Sequence, residues 1–114
     1  MNKKKFIYTA KNIINLEIDA LKKLKKNINN SFYDAVIKIS KCQSKVILCG
    51  VGKSGIIASK IAATLASVGT PSFNLSASEA SHGDLGMISK KDILVLISNS
   101  GETNELKKYY SVCQ

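Results

Sequence analysis

Three short segments of the 114-residue chain gather the residue types that can do chemistry. Gly50-Val51-Gly52-Lys53-Ser54-Gly55 sets one cation and one hydroxyl among glycines. Ser98-Asn99-Ser100-Gly101-Glu102-Thr103 offers hydroxyls, a glycine and an acid, and a further acid follows at Glu105. Glu79-Ala80-Ser81-His82-Gly83-Asp84-Leu85-Gly86 holds the only histidine of the sequence between acids.

Each segment has a chemical reading and a plainer one. In the first, glycine lets backbone approach a ligand closely, and a helix starting there would present free N–H groups to an anion. A nucleotide P-loop would need glycine at position 47, where Ile47 stands. A dinucleotide fingerprint fits Gly50, Gly52 and Gly55, but it wants an acid near the end of the next strand, where Ser76-Ala77-Ser78 stands. A sugar-phosphate loop, with Lys53 as a charged contact, is the reading left. The hydroxyl segment suits phosphate at a helix N-terminus, or it is an ordinary Ser/Thr cap. A second anion loop at the same sheet edge favours phosphate and argues against a dinucleotide. His82 titrates near neutrality and lies in a polar, Gly-flanked loop, which suits proton transfer; a structural role is the alternative. Glu79 and Asp84 could orient it, or serve as solvated or capping acids.

All three segments follow predicted strands. Lys45–Cys49, 71–75 and 92–97 are the strand candidates, with Pro71 at a first position, where it is tolerated. Two of them are continuous apolar runs, which predicts a parallel sheet buried on both faces. Residues 54–68 read as a helix ending at Gly69, 77–88 as a polar connection, and 103–113 as another helix. Upstream, Ile7, Ala10, Ile14, Leu21, Leu24 and Ile28 form a helical stripe over 5–28, with Lys on the other face. Asn29-Asn30-Ser31 breaks the pattern and supplies caps for a second helix carrying Phe32, Ala35, Val36 and Ile39. Both stripes are read as core packing, or the first as an oligomer seam. The fold class is α/β: a doubly wound parallel sheet preceded by two N-terminal helices.

Composition excludes several classes. The net charge of +9 comes from 17 basic and 8 acidic residues, and every basic residue is Lys. Without Arg, the bidentate reader of bases, the charge reads as a solvated face, and no nucleic-acid partner is expected. Cys42, Cys49 and Cys113 make neither a disulfide framework nor a zinc spacing. Reduced thiols are expected, with Cys49 buried in a strand. Lys11, Glu17 and Asp19 interrupt any signal-like apolar run, and no stretch is long enough to span a membrane. A cytoplasmic location follows.

Taken together, GVGKSG, TPSF, EASHGDLGM and ISNSGETNEL resemble the sugar isomerase (SIS) domain, and more narrowly the D-arabinose-5-phosphate isomerase family. The SNSGE-type loop indicates an SIS domain; GKSG and HGDLG narrow it to the subgroup. The resemblance runs through nearly all of 45–106, and in outline through the N-terminal helices. It implies an SIS-type sheet and a homo-oligomer. It also implies interconversion of D-arabinose 5-phosphate and D-ribulose 5-phosphate for synthesis of the Kdo sugar of lipopolysaccharide, with no cofactor and no metal. By motif, Lys53, His82 and Glu105 are implied as catalytic. Gly52, Ser54, Ser98, Asn99, Ser100, Gly101 and Thr103 are implied to bind the phosphate and sugar. The expected layout is N-terminal helices over 1–41 and the first part of the SIS domain over 42–114. Later strands, a further acid and histidine, and CBS domains would lie beyond Gln114, so the chain alone is expected to isomerise poorly. A non-catalytic sugar-phosphate module and an inactive remnant are the alternatives.

Overall fold

The structure is a computed structural model that describes residues 1–77 and 84–112. The chain divides into two compact units, Met1–Val36 and Ile37–Gln114.

In the first unit, α1 spans Lys3–Asn27. Its start is capped by Asn2, whose side-chain oxygen accepts from the Lys5 N–H at 3.3 Å. Lys25 and Lys26 lie in its last turn, where positive charge suits the helix dipole. None of its residues is buried. The expectation of a core-packed stripe is therefore corrected: Ile7, Ile14, Leu21, Leu24 and Ile28 stay exposed. Within this unit only the opening turns of the next helix are available to cover them. That helix, α2, spans Asn30–Ser40 and is capped by Asn29, whose side chain accepts from the Ser31 N–H at 3.0 Å. Its expected apolar face is also corrected. Phe32 and Val36 are exposed, and only Ile39 packs against a core cluster.

The second unit is a parallel sheet of three strands, β1 at Val46–Gly50, β2 at Ser72–Asn74 and β3 at Ile93–Ile97, in the order β2-β1-β3. The run Val46-Ile47-Leu48-Cys49 is fully buried because β1 is central and both its faces are covered. Val46 and Leu48 pack with Ala58 and Ala62 of α3, which spans Lys53–Ser67. Ile47 and Cys49 face the other way, with Leu106 and Tyr109 of α4, which spans Asn104–Val112. Period-two alternation along β1 thus builds a separate apolar layer on each face. The apolar run of β3 departs from the expected double burial, since all five of its residues are only half-buried. It pairs with β1 on one side alone, so its apolar residues are covered less than those of the central strand.

α3 ends in a Schellman motif. Gly69 adopts φ 94°, its N–H donates to the Ala66 carbonyl at 3.2 Å, and the Thr70 N–H donates to the Leu65 carbonyl at 2.9 Å. The glycine at this position is needed because a Cβ would be strained there. A 3₁₀ turn at Asp84–Met87 follows the undescribed stretch 78–83.

Candidate active site

Strand order decides where a site can form. From central β1 the chain passes to β2 on one side, and later to β3 on the other. The crevice at the carboxyl ends of β1 and β3 is therefore the topological switch point, where ligands bind in open parallel sheets. Gly50 pairs with Ile97 in register. Val51 and Ser98 consequently leave the sheet side by side, and they open the glycine-lysine loop and the hydroxyl loop.

The first loop turns into α3 within a few residues. Gly52 is the N-cap, with φ 59° and ψ −125°, and a Cβ there would meet nothing within 4 Å. Its backbone is strained for any other residue and lies open to a ligand. Gly50 and Gly55 serve a different purpose from the expected ligand approach. A Cβ on Gly50 would fall 2.6 Å from the Ser54 carbonyl group, and one on Gly55 would fall 2.8 Å from the Gly50 oxygen. These two glycines let α3 sit directly on the end of β1. Lys53 is the first residue of α3, one position earlier than expected, and it is exposed; Ser54 beside it is half-buried. No acid accompanies Lys53 in that first turn. A cation at a helix N-terminus adds to the positive end of the dipole, an arrangement that costs stability unless an anion joins it.

The second loop is organised by its own hydroxyls. Ser98 Oγ lies 2.9 Å from Thr103 Oγ1 and accepts from the Gly101 N–H at 3.0 Å. Ser100 Oγ accepts from the Glu102 N–H at 3.2 Å. Gly101 takes φ 71°, which lets the turn close. Thr103 caps α4, its carbonyl accepting from Leu106 and Lys107. These hydroxyl contacts brace the loop ahead of α4, and the cradle is not used up: a hydroxyl that accepts an N–H still has its own proton to donate. Asn99 and Ser100 are exposed at the tip. Glu105 is exposed in the first turn of α4, where a negative charge also suits the dipole.

Of the residues expected at the site, Gly52, Lys53, Ser54, Ser98, Asn99, Ser100, Gly101, Thr103 and Glu105 belong to these neighbouring loops and their helix starts. His82 and Glu79 lie outside the described residues. The loop that carries them leaves β2, and its first part is anchored: the Tyr109 hydroxyl donates to the Ser76 carbonyl at 3.0 Å. Tyr109 is fully buried beneath Cys49. Burial pushes the Cys49 thiol up from its ordinary pKa, with a smaller opposing effect from the Tyr109 hydroxyl.

The opposite edge of the sheet holds a group not anticipated from the sequence. The Asp92 side chain has no exposed surface. Its Oδ1 accepts from the Ser44 hydroxyl and, at 3.2 Å, from the Lys45 N–H. Its Oδ2 accepts from the Ser89 N–H at 2.7 Å and pairs with Lys45 Nζ at 3.1 Å. Desolvation raises the carboxyl pKa, but these hydrogen bonds outweigh it and hold the group well below the usual carboxylate range. The available signal was an acid placed directly before an apolar strand. Also at this edge, an open depression of about 520 Å³ is lined by Ile37, Lys41, Cys42, Lys91 and Ile93. It is shallow and lies away from the switch point, so the loop geometry defines the site.

Known proteins resemble this chain in both sequence and fold. The SIS domain family model matches residues 38–114. Over 101 residues the chain is 50% identical to arabinose 5-phosphate isomerase KdsD of Yersinia pestis, covering 89% of this chain and 31% of that protein. It is 43% identical over 113 residues to the uncharacterized protein RP505 of Rickettsia prowazekii, covering 99% of this chain and 35% of the other. Among solved structures, an Escherichia coli CFT073 protein in complex with arabinose 5-phosphate is 46% identical, with a TM-score of 0.90 over 98% of this chain and 60% of that one. A Listeria monocytogenes protein assigned to the sugar-phosphate isomerases is 32% identical, with a TM-score of 0.93 over 99% of this chain and 60% of that one. The chain spans about a third of the length of the curated relatives it matches. Among the described residues, no helix is long and apolar enough to cross a membrane. By sequence and by fold, the chain belongs to the SIS domain family.

Proposed function

We propose that this chain carries the phosphosugar site of an aldose–ketose isomerase acting on D-arabinose 5-phosphate and D-ribulose 5-phosphate. One observation carries the reading. Two anion-suited loops leave the register-paired residues Gly50 and Ile97 at the switch point, one with Lys53 and the other with Glu105 at its helix start. The similarity to the KdsD isomerases and to a protein solved with arabinose 5-phosphate supports the choice of sugar.

The residues divide the work. The phosphate sits on the hydroxyls of Ser98, Ser100, Thr103 and Ser54, with Gly52, Asn99 and Gly101 shaping its seat. In the aldose-to-ketose direction a base removes the C2 proton while O1 takes up a proton, so that enediolate charge develops transiently on oxygen and the product is a neutral enediol. The proton then returns at C1 while O2 gives up its own. Glu105 is the carboxylate base, Lys53 offsets the negative charge that develops on oxygen, and His82 relays protons between the sugar oxygens. A cytoplasmic role in supplying the Kdo sugar of lipopolysaccharide belongs to the same reading, as does the layout of helices over 1–41 before the SIS domain at 42–114. A second copy of the chain is the partner that covers the exposed stripe of α1.

The test is titration of the chain with arabinose 5-phosphate, followed by amide NMR. Shifts are expected in 50–55 and 98–105. Ser100→Ala should weaken affinity about ten- to a hundredfold, as a hydrogen bond to a charged group contributes roughly 1.5–3 kcal/mol. No binding by the unaltered chain would refute the sugar-phosphate reading; unchanged affinity in Ser100→Ala would refute the role of Ser100.

A further inference from the structure

We propose that Asp92 is a positioning residue for the phosphosugar site, acting from the far edge of the sheet by locking the register of β1 against β3. The choice of ligand rests on the function proposed above; the lock itself does not.

The clamp ties together the two segments that lead into these strands. Ser44 and Lys45 precede β1, and Ser89 leads through a turn into β3, where the Asp92 N–H donates to the Ser89 carbonyl at 3.0 Å. One carboxylate gathers a hydroxyl, two backbone N–H groups and an ammonium from these two segments. The first ladder bond follows immediately, from the Ile93 N–H to the Lys45 carbonyl at 2.9 Å. From there the strands run paired, Val46 with Ile93 through to Gly50 with Ile97. The axial offset set at the clamp is therefore the offset at which the lysine loop and the hydroxyl loop emerge.

The Cys42 thiol also spans these segments, at 3.7 Å from the Lys45 carbonyl and 3.9 Å from the Lys91 carbonyl, but such long, weak contacts do not fix the offset sharply. β3 is uniformly apolar, Ile-Leu-Val-Leu-Ile, so neighbouring registers would present chemically similar side chains. A slip of one residue would displace one loop along the other by about 3.3 Å. An error of even ~1 Å in such a site can cost about a hundredfold in rate. The clamp is also sheltered: Lys45 is 38% exposed, but the carboxylate it covers is not exposed at all.

The experiment compares the whole chain with Asp92→Asn and with the milder Ser44→Ala by amide hydrogen exchange, without ligand, and then by titration with arabinose 5-phosphate. Asp92→Asn keeps the shape of the side chain and loses its charge; Ser44→Ala removes one donor, so a folded variant is available. Exchange at Gly50 and 97–103 should quicken about tenfold in Asp92→Asn and less in Ser44→Ala, while Ala58 and Ala62 in α3 keep their protection. Affinity for the sugar should fall in the same order. Changes confined to 44–46 and 89–93, or a uniform loss of protection across the unit, would overturn the positioning role. If the unaltered chain does not bind the sugar, the functional reading fails, and the exchange pattern still decides for or against the lock.

Discussion

At the scale of single residues, the three glycines of the first loop are not equivalent. Gly52 is held at φ 59° with open space around its missing Cβ, so its substitution strains backbone without a clash. Gly50 is the reverse case: its conformation is ordinary, but a Cβ would lie 2.6 Å from backbone atoms of Ser54. Backbone cannot yield as a side-chain tip can. Gly50→Ala should therefore push α3 off β1 and cost on the order of 1–3 kcal/mol, the usual range for overpacking. Urea denaturation of the two proteins checks this, and an unchanged midpoint would contradict the close strand–helix contact. The motif spelled out all three glycines, but only the approach of α3 to β1 separates the two that serve packing from the one whose missing Cβ leaves open space.

At the scale of elements, the clamped starts of β1 and β3 are sensitive to acid. Asp92 titrates below its unfolded-state value, near 3.8, because hydrogen bonds to its charged form outweigh desolvation. A depressed carboxyl stabilises the fold at pH above that unfolded value and loses the contribution as pH falls through the folded one. The stability difference between the chain and Asp92→Asn should hence be constant above about pH 5 and shrink below about pH 4. Thermal melts of both proteins across pH 2–7 measure it. A difference that did not shrink in acid would show that the charge is not what the clamp uses. The strands themselves were legible as apolar runs, to within one or two residues. The clamp was not, because Ser44, Ser89 and Asp92 meet only once β1 and β3 lie side by side.

At the scale of the whole molecule, α1 buries none of its residues while Ile7, Ile14, Leu21 and Leu24 line one stripe. Exposed apolar surface of this extent marks a binding surface. The chain should sediment well above its monomer mass of 12.3 kDa. Leu21→Lys should shift it toward monomer, with the sheet unit still folded by circular dichroism. A monomeric unaltered chain at about 100 μM, a concentration at which most specific homo-oligomers persist, would refute the seam. Most lysines of α1 lie off the stripe, Lys3 and Lys25 near its two ends being the exceptions, so the charge opposes association only there.

The α/β class, the parallel strands and the placement of Lys53, Ser98, Ser100 and Thr103 just after strand ends were all legible in the residues. These depend on period, run length and local loop chemistry, which are written residue by residue. Which strand is central, and therefore why β1 is fully buried while the equally apolar β3 is half-buried, emerged from the folded sheet. It also decided that the loops after β1 and β3 emerge side by side. The physical reason is the same in each case: pairing order and register are set by contacts between residues nearly fifty positions apart, such as Ser44 with Asp92. No local pattern carries that information.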